Sequence, residues 1–192
     1  MGDIVLAGAT SGTITLTPTA TAGSSTITLP AANGTVITTA SSGQSIPKAA
    51  LPTGSVLQVV QTVKTDAFST TSTSMVDVTG LSVTITPTSA TSKILVQLTC
   101  CSMGGRTNVV TMFTQIVRNS TFIYDPGNGW GAPANDQPTG LVGTYLDSPA
   151  TTSATTYKLQ IRGDGAIVGI NRTASEASVK GYSSITVMEI AA

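Results

Sequence analysis

Apolar residues recur at every second position along most of this chain, a spacing that fits strands and does not fit helices. Leu81, Val83 and Ile85 alternate with Ser82, Thr84 and Thr86 until Pro87 stops the run. Ile94, Val96, Leu98 and Cys100 share one face of a second run, and Tyr157, Leu159 and Ile161 one face of a third. Near the start, Ile14 and Leu16, then Ile27 and Leu29, follow the same rule. Thr and Ser fill most of the positions between, and β-branched Thr, Val and Ile suit a pleated, half-buried surface. Asn33-Gly34, Pro126-Gly127-Asn128-Gly129 and Gly163-Asp164-Gly165 are turn sequences between the runs. The expected fold class is all-β.

Two regions differ in texture. Residues 54–192 hold about ten strand-like runs, from Ser55–Lys64 to Ser184–Ile190, which predicts an antiparallel β-sandwich of jelly-roll type. Residues 1–53 are expected to be extended. The first 50 contain no aromatic residue and two charges, Asp3 and Lys48. Ser11-Gly12-Thr13-Ile14-Thr15-Leu16 recurs 13 residues later as Ser24-Ser25-Thr26-Ile27-Thr28-Leu29. Each copy offers too few apolar side chains to close a core. Such a segment must lie on its own head domain or on other chains, so Ile14, Leu16, Ile27 and Leu29 are candidate attachment residues. Ser41-Ser42-Gly43-Gln44-Ser45 reads as a linker.

Composition removes several functions. Charged residues make up 9% of the chain, against roughly 25% in an average domain, and nine Lys/Arg balance nine Asp/Glu. Binding nucleic acid by phosphate neutralisation needs a basic surplus, which is missing. With 40% hydrophobic residues the chain is not a disordered tail. It has no His, so imidazole chemistry is excluded. No apolar run has the length of a signal peptide or a membrane span, and no membrane insertion is expected. Cys100 and Cys101 are adjacent and point to opposite faces of a strand, so they read as two free thiols. No metal or cofactor is expected, and no phosphate-binding Gly-x4-Gly-Lys-Ser/Thr loop is present.

The carboxylates are mostly Asp beside Gly, Pro, Ser or Thr, where they usually serve turns. Asp125, Asp136 and Asp147, in or near one long loop, leave a glycan-cleaving pair as a remote alternative. The chain is otherwise not expected to be an enzyme. That loop, Tyr124 to Gly140, is rich in Pro and Gly and holds the single Trp. Tyr124, Asp125, Asn128, Trp130, Asn135 and Asp136 are candidates for contact with a host-surface glycan, an aromatic face stacking on a sugar and polar side chains taking its hydroxyls. In the closing strand Ile185 and Val187 lie on one face and Met188 and Ile190 on the other. A strand apolar on both sides is covered on both sides, by the opposing sheet and by a neighbouring subunit, so these four are candidate subunit-interface residues. Arg162-Gly163-Asp164 spells an integrin-binding tripeptide, but Asp164-Gly165 reads more simply as a hairpin turn.

The stretches Gly12–Leu16, Ala22–Val36 and Ser45–Val59 resemble the N-terminal segments and head joint of bacteriophage fibre and virion structural proteins. Val83-Thr84-Ile85-Thr86-Pro87, Ser92-Lys93-Ile94-Leu95-Val96 and Ile185–Ile190 are similar to the head domain of the same proteins. The resemblance implies a homotrimer in a virion, with a head of the complement C1q and tumour-necrosis-factor type and other virion proteins as partners. A fibre or spike appendage touching the host is the leading expectation. A capsid decoration protein clamping the major capsid protein is the alternative, because the segment before the head is short for a tail fibre.

Overall fold

The computed structural model describes residues 4–7, 13–16, 51–105, 110–127, 130–132, 139–172 and 181–192. The chain divides into two units, Met1–Ser45 and Ile46–Ala192. In the first, β1 (Ile4–Ala7) pairs antiparallel with β2 (Thr13–Leu16). Ile4 stands opposite Leu16 and Leu6 opposite Ile14, so the register sets these four positions on one face of the ribbon. A two-stranded ribbon of this size is marginal in water by itself. The second copy of the repeat, with Ile27 and Leu29, lies outside the described residues.

The second unit contains strands β3 (Val56–Lys64), β4 (Phe68–Thr70), β5 (Val76–Ile85), β6 (Lys93–Gly105), β7 (Val110–Arg118) and β8 (Thr121–Tyr124). It continues with β9 (Trp130–Ala132), β10 (Thr139–Asp147), β11 (Thr155–Arg162), β12 (Val168–Ile170) and β13 (Ser183–Ile190). Among the described residues there is no helix. One sheet runs β10-β6-β13-β3, and the far end of β6 also pairs with β12, which pairs with β4. The other runs β5-β11-β7-β8, with β9 beside β7. All these pairings are antiparallel. Apart from the β7–β8 hairpin, the long strands pass from one sheet to the other at each step, which is the jelly-roll connectivity.

The alternating residues seen in the sequence meet between the sheets. Ile94, Val96, Leu98 and Cys100 of β6, with Ile185 and Val187 of β13, face Leu81, Val83, Ile85, Ile116, Tyr157, Leu159 and Ile161 across the core. Ile185 and Val187 are thus covered by the opposing sheet of their own chain, which removes them from any surface offered to a neighbour. Met188 and Ile190 keep the outward positions, half-buried.

Two polar clusters fasten the sandwich. Asp147 on β10 accepts hydrogen bonds from Arg118 Nη1 on β7 through both carboxylate oxygens, each at 2.8 Å. It also accepts one from Tyr157 Oη on β11 at 2.7 Å. Burial, with the neighbouring Asp147 charge, pushes the Tyr157 phenol far above its ordinary range. Near the other end of the core, Asn171 (φ +57°) donates to the carbonyls of Lys64 and Asp66 and accepts from Ser183 Oγ at 2.6 Å. That single amide ties three segments, and no part of it is left unpaired inside.

Two sequence expectations need correction. The stretch from Tyr124 to Gly140 is not one loop, because Trp130–Ala132 forms β9 and pairs with β7, Met112 opposite Trp130. Nor is Asp164-Gly165 a hairpin turn: β11 belongs to one sheet and β12 to the other, so this corner changes sheets. Asp164 fixes the corner by accepting from the main-chain N–H groups of Thr111 and Ala166, which hold its carboxyl below the usual carboxylate range. Arg162 lies over the Phe113 ring at 3.5 Å, so both side chains of the tripeptide already have partners within the chain.

Candidate assembly surface

The outer face of the β10-β6-β13-β3 sheet is built in rows by strand register. Leu146 stands opposite Leu95, Leu95 opposite Met188, and Met188 opposite Val59, giving one apolar row across four strands. Val59 is 56% exposed and Leu146 50%. The next row is polar and neutral: Thr144, Gln97, Thr186 and Gln61, with Gln61 Nε2 donating to Thr186 Oγ1 at 2.8 Å. Beyond it stand Val142, Thr99, Ser184 and Val63. None of these side chains is charged. Lys93, in the row of Ile190 and Val56 at the margin, turns its ammonium to Ser148 Oγ at 3.0 Å.

The outer face of the opposite sheet has another chemistry. Asp77 accepts from Lys158 Nζ at 2.7 Å and from Gln160 Nε2 at 2.6 Å, and Gln160 Oε1 accepts from Gln115 Nε2 at 2.6 Å. Lys158 first, then Gln160, hold the Asp77 carboxyl below its ordinary range. Covering this face would desolvate an ion pair, whereas covering the neutral face desolvates hydroxyls, amides and aliphatic carbon. Of the two faces, the neutral one is the cheaper to bury.

Of the residues singled out as a contact loop, the structure occupies the first two internally. The Tyr124 ring stacks on Tyr145 with centroids 5.2 Å apart and planes 15° from parallel. Asp125 Oδ1 accepts from the Gly127 N–H at 3.0 Å, closing a turn. Pro126 then lies so close to β10 that a Cβ on Gly143 would stand 2.7 Å from Pro126 Cβ. Trp130 is placed on β9, while Asn128, Asn135 and Asp136 lie outside the described residues. Cys100 is buried, which pushes its thiol up to about 12, and Cys101 is exposed. Among the described residues no group of three or more His, Cys, Asp or Glu is placed to hold a metal ion.

Sequence reasoning found Met188 and Ile190 but missed Val59, Leu95, Val142 and Leu146. Their signal is the apolar doublet inside an alternating run: Val59-Val60, Ile94-Leu95, Leu141-Val142, Tyr145-Leu146 and Val187-Met188. One member of each doublet feeds the core, so the other must emerge on the outer face.

No family model matches this chain, and no curated protein matches it. Solved structures with a similar arrangement come from infectious bursal disease virus. The structure of the Gt strain is 12% identical with a TM-score of 0.41, covering 70% of this chain and 38% of that one. The crystal structure of the VP2 subviral particle is 12% identical with a TM-score of 0.42, covering 72% and 38%. The Gx strain gives 13% identity and a TM-score of 0.40, covering 71% and 43%. This chain spans less than half the length of those chains.

Proposed function

We propose that this chain is a structural protein of a bacteriophage virion, a homotrimeric appendage of fibre or spike type whose heads associate through the neutral face of the β10-β6-β13-β3 sheet. The observation that carries the reading is the contrast between the two outer faces. One bears a hydrogen-bonded ion pair and the other an uncharged set of rows with exposed Val59, Val63, Val142 and Leu146. Four strands about 4.8 Å apart, over roughly seven residues of ~3.3 Å each, give a face on the order of 450 Å². Burying it against an equal area of a different surface on the neighbouring copy, as a three-fold ring requires, approaches the roughly 1,000 Å² of a specific interface. Three-fold symmetry rests on the likeness of the N-terminal segments and of the head to phage fibre and virion proteins. In this reading the segment 1–53 makes the attachment to other virion proteins, with Ile14, Leu16, Ile27 and Leu29 as its apolar contacts. The segment between Tyr124 and Gly140, with Trp130 on β9, meets the host surface, and no cofactor takes part.

The test has two parts. Light scattering on the purified chain should return the mass of three copies or a whole multiple of it, and a stable monomer would refute the assembly. Gold-labelled antibody against the head should then mark the tail or a single vertex of the virion. Regular labelling over the whole capsid would replace the appendage by a decoration protein.

A further inference from the structure

A sheet face is one docking surface, and a sheet edge is another. Among the described residues six strands lie at a sheet edge, β3, β4 and β10 in one sheet and β5, β8 and β9 in the other, with β4 and β9 only three residues long. β5 is interrupted by Gly80 at φ +80° and by a register break between Lys158 and Gln160 of its neighbour, and β8 has only four residues. Bulges and short strands are ways of making an edge a poor template. β3 ends in an inward-pointing charge, Lys64, and the amide of its central residue Gln61 is engaged by Thr186. β10 is different. Its pairing with β6 is regular from Leu141 to Asp147, and among the described residues no second strand lies beside it. It contains no Lys, Arg or Pro. Its one charge, Asp147, is buried and satisfied by Arg118 and Tyr157. Every second residue of such a strand turns its N–H and C=O to the open side.

We propose that β10 pairs antiparallel with β10 of a second copy, about a two-fold axis at Thr144. The sequence of the strand is self-complementary in that register. Val142, 70% exposed, meets Leu146 of the other copy, 50% exposed, on the outer face. Thr144 meets its own counterpart, a favourable cross-strand pair. On the inner face the opposed positions are Gly143 and Tyr145, the space over the glycine already filled by Pro126 and the Tyr145 ring already stacked on Tyr124, so this side adds no new clash or charge. No like charges are brought together, and the register holds whichever set of main-chain groups faces outward. The contact uses main-chain groups in the plane of the sheet, so it goes beyond the association through the face and links one trimer to another. Isologous pairing of this kind extends a four-stranded sheet into an eight-stranded one.

The test is a cysteine at the axis. Residues opposite each other across antiparallel strands have Cα atoms about 4.5–5.5 Å apart, within disulfide range. In a Cys101→Ser background, Thr144→Cys should give a covalent dimer on mild oxidation; Cys100, buried with its thiol pushed up to about 12, stays inert. Adding Val142→Lys and Leu146→Lys, both on the exposed face, should cut the dimer by at least about tenfold, since each cross-strand pair then opposes like charges. Ser82→Cys on the β5 edge, exposed and off the neutral face, should in the same background give no dimer above collisional level. Circular dichroism confirms that each variant is folded. No dimer from Thr144→Cys, a dimer indifferent to the two lysines, or an equal dimer from Ser82→Cys would each overturn the proposal. Val142 and Leu146 also belong to the neutral face, so the mass of each unoxidised variant is measured as well: a disulfide lost with the trimer kept supports the edge pairing, and a disulfide lost only together with the trimer would overturn it. A wild type without trimers in which Thr144→Cys still cross-links would refute the trimer and keep the edge pairing.

Discussion

Arg118 and Asp147 belong to opposite sheets and meet through a single guanidinium nitrogen held 2.8 Å from both carboxylate oxygens. The carboxylate side chain is 6% exposed and the guanidinium 26%, so the pair is a fastening inside the sandwich and not a surface ornament. Asp147→Asn keeps the volume but puts an NH₂ group against donors from Arg118 and Tyr157. Unfolding in urea should show a loss of about 3 kcal/mol, within the range for breaking a buried pair from one side. A loss below about 0.5 kcal/mol would show that the pair is solvated in solution and holds nothing.

Glu189 should govern the acid limb of the stability profile. Burial alone would raise its pKa, but donation from Thr88 N, Thr88 Oγ1 and Gln58 Nε2 more than reverses this and holds the carboxyl below its ordinary value. A pKa lowered on folding contributes stability that is present above the unfolded value, near 4.3, and lost as pH falls through the folded one. Asp77 is shifted in the same direction. Urea midpoints should therefore be level from neutral pH to about 5 and fall below about 4. Glu189→Gln should lower the plateau by about 1–3 kcal/mol and flatten the fall. An unchanged acid limb in that variant would assign the loss to other carboxylates.

Ala150 sits at φ +52° between Pro149 and Thr151, a conformation that costs an L-residue about 1 kcal/mol. Ala150→Gly should raise the unfolding midpoint by about 0.5–1 kcal/mol, because the relief of strain exceeds the added freedom of the unfolded chain. A destabilised variant would mean that the turn relaxes to negative φ in solution.

Association through the neutral face should be nearly independent of salt between dilute and molar conditions, since no charge is screened. Leu95→Lys or Met188→Lys, in the middle of the apolar row, should weaken association by roughly 100-fold and leave the core intact. Sedimentation together with thermal melting of the head separates the two effects. Steep salt dependence in the wild type would point to Lys93 and the ion-paired face instead.

The alternation of apolar residues made the strands and the core legible: Leu81 to Ile85, Ile94 to Cys100 and Tyr157 to Ile161 all face inward as their spacing requires. Loop chemistry was less legible. Gly and Pro around Trp130 announced a break, but the three residues of β9 pair with β7 for reasons of sheet geometry that no local pattern encodes. The partner of Ile14 and Leu16 turned out to be Ile4–Ala7, a run too short to stand out before its register is known. Polar fasteners such as Asp147 and Asn171 were invisible, because their partners lie far away in sequence. The outer face was half legible. A doublet such as Ile94-Leu95 shows that a strand is apolar on both sides, but not which side the chain itself covers.

The chain enters β3 at Val56 beside the point where it leaves β13 at Ile190, and Ile190 in turn lies next to Lys93 at the start of β6. Thr139, which begins β10 after the Trp130 segment, pairs with Met103 near the end of β6 instead. The head therefore has a root and a crown, separated by most of the length of β6, on the order of 35 Å for its extended backbone. Anything that grips the polypeptide ahead of Val56 holds it by the root. The Trp130 strand is then carried toward the far tip, like the blade of a tool gripped by its handle, while the tyrosine stack, level with Val96, sits close to the root.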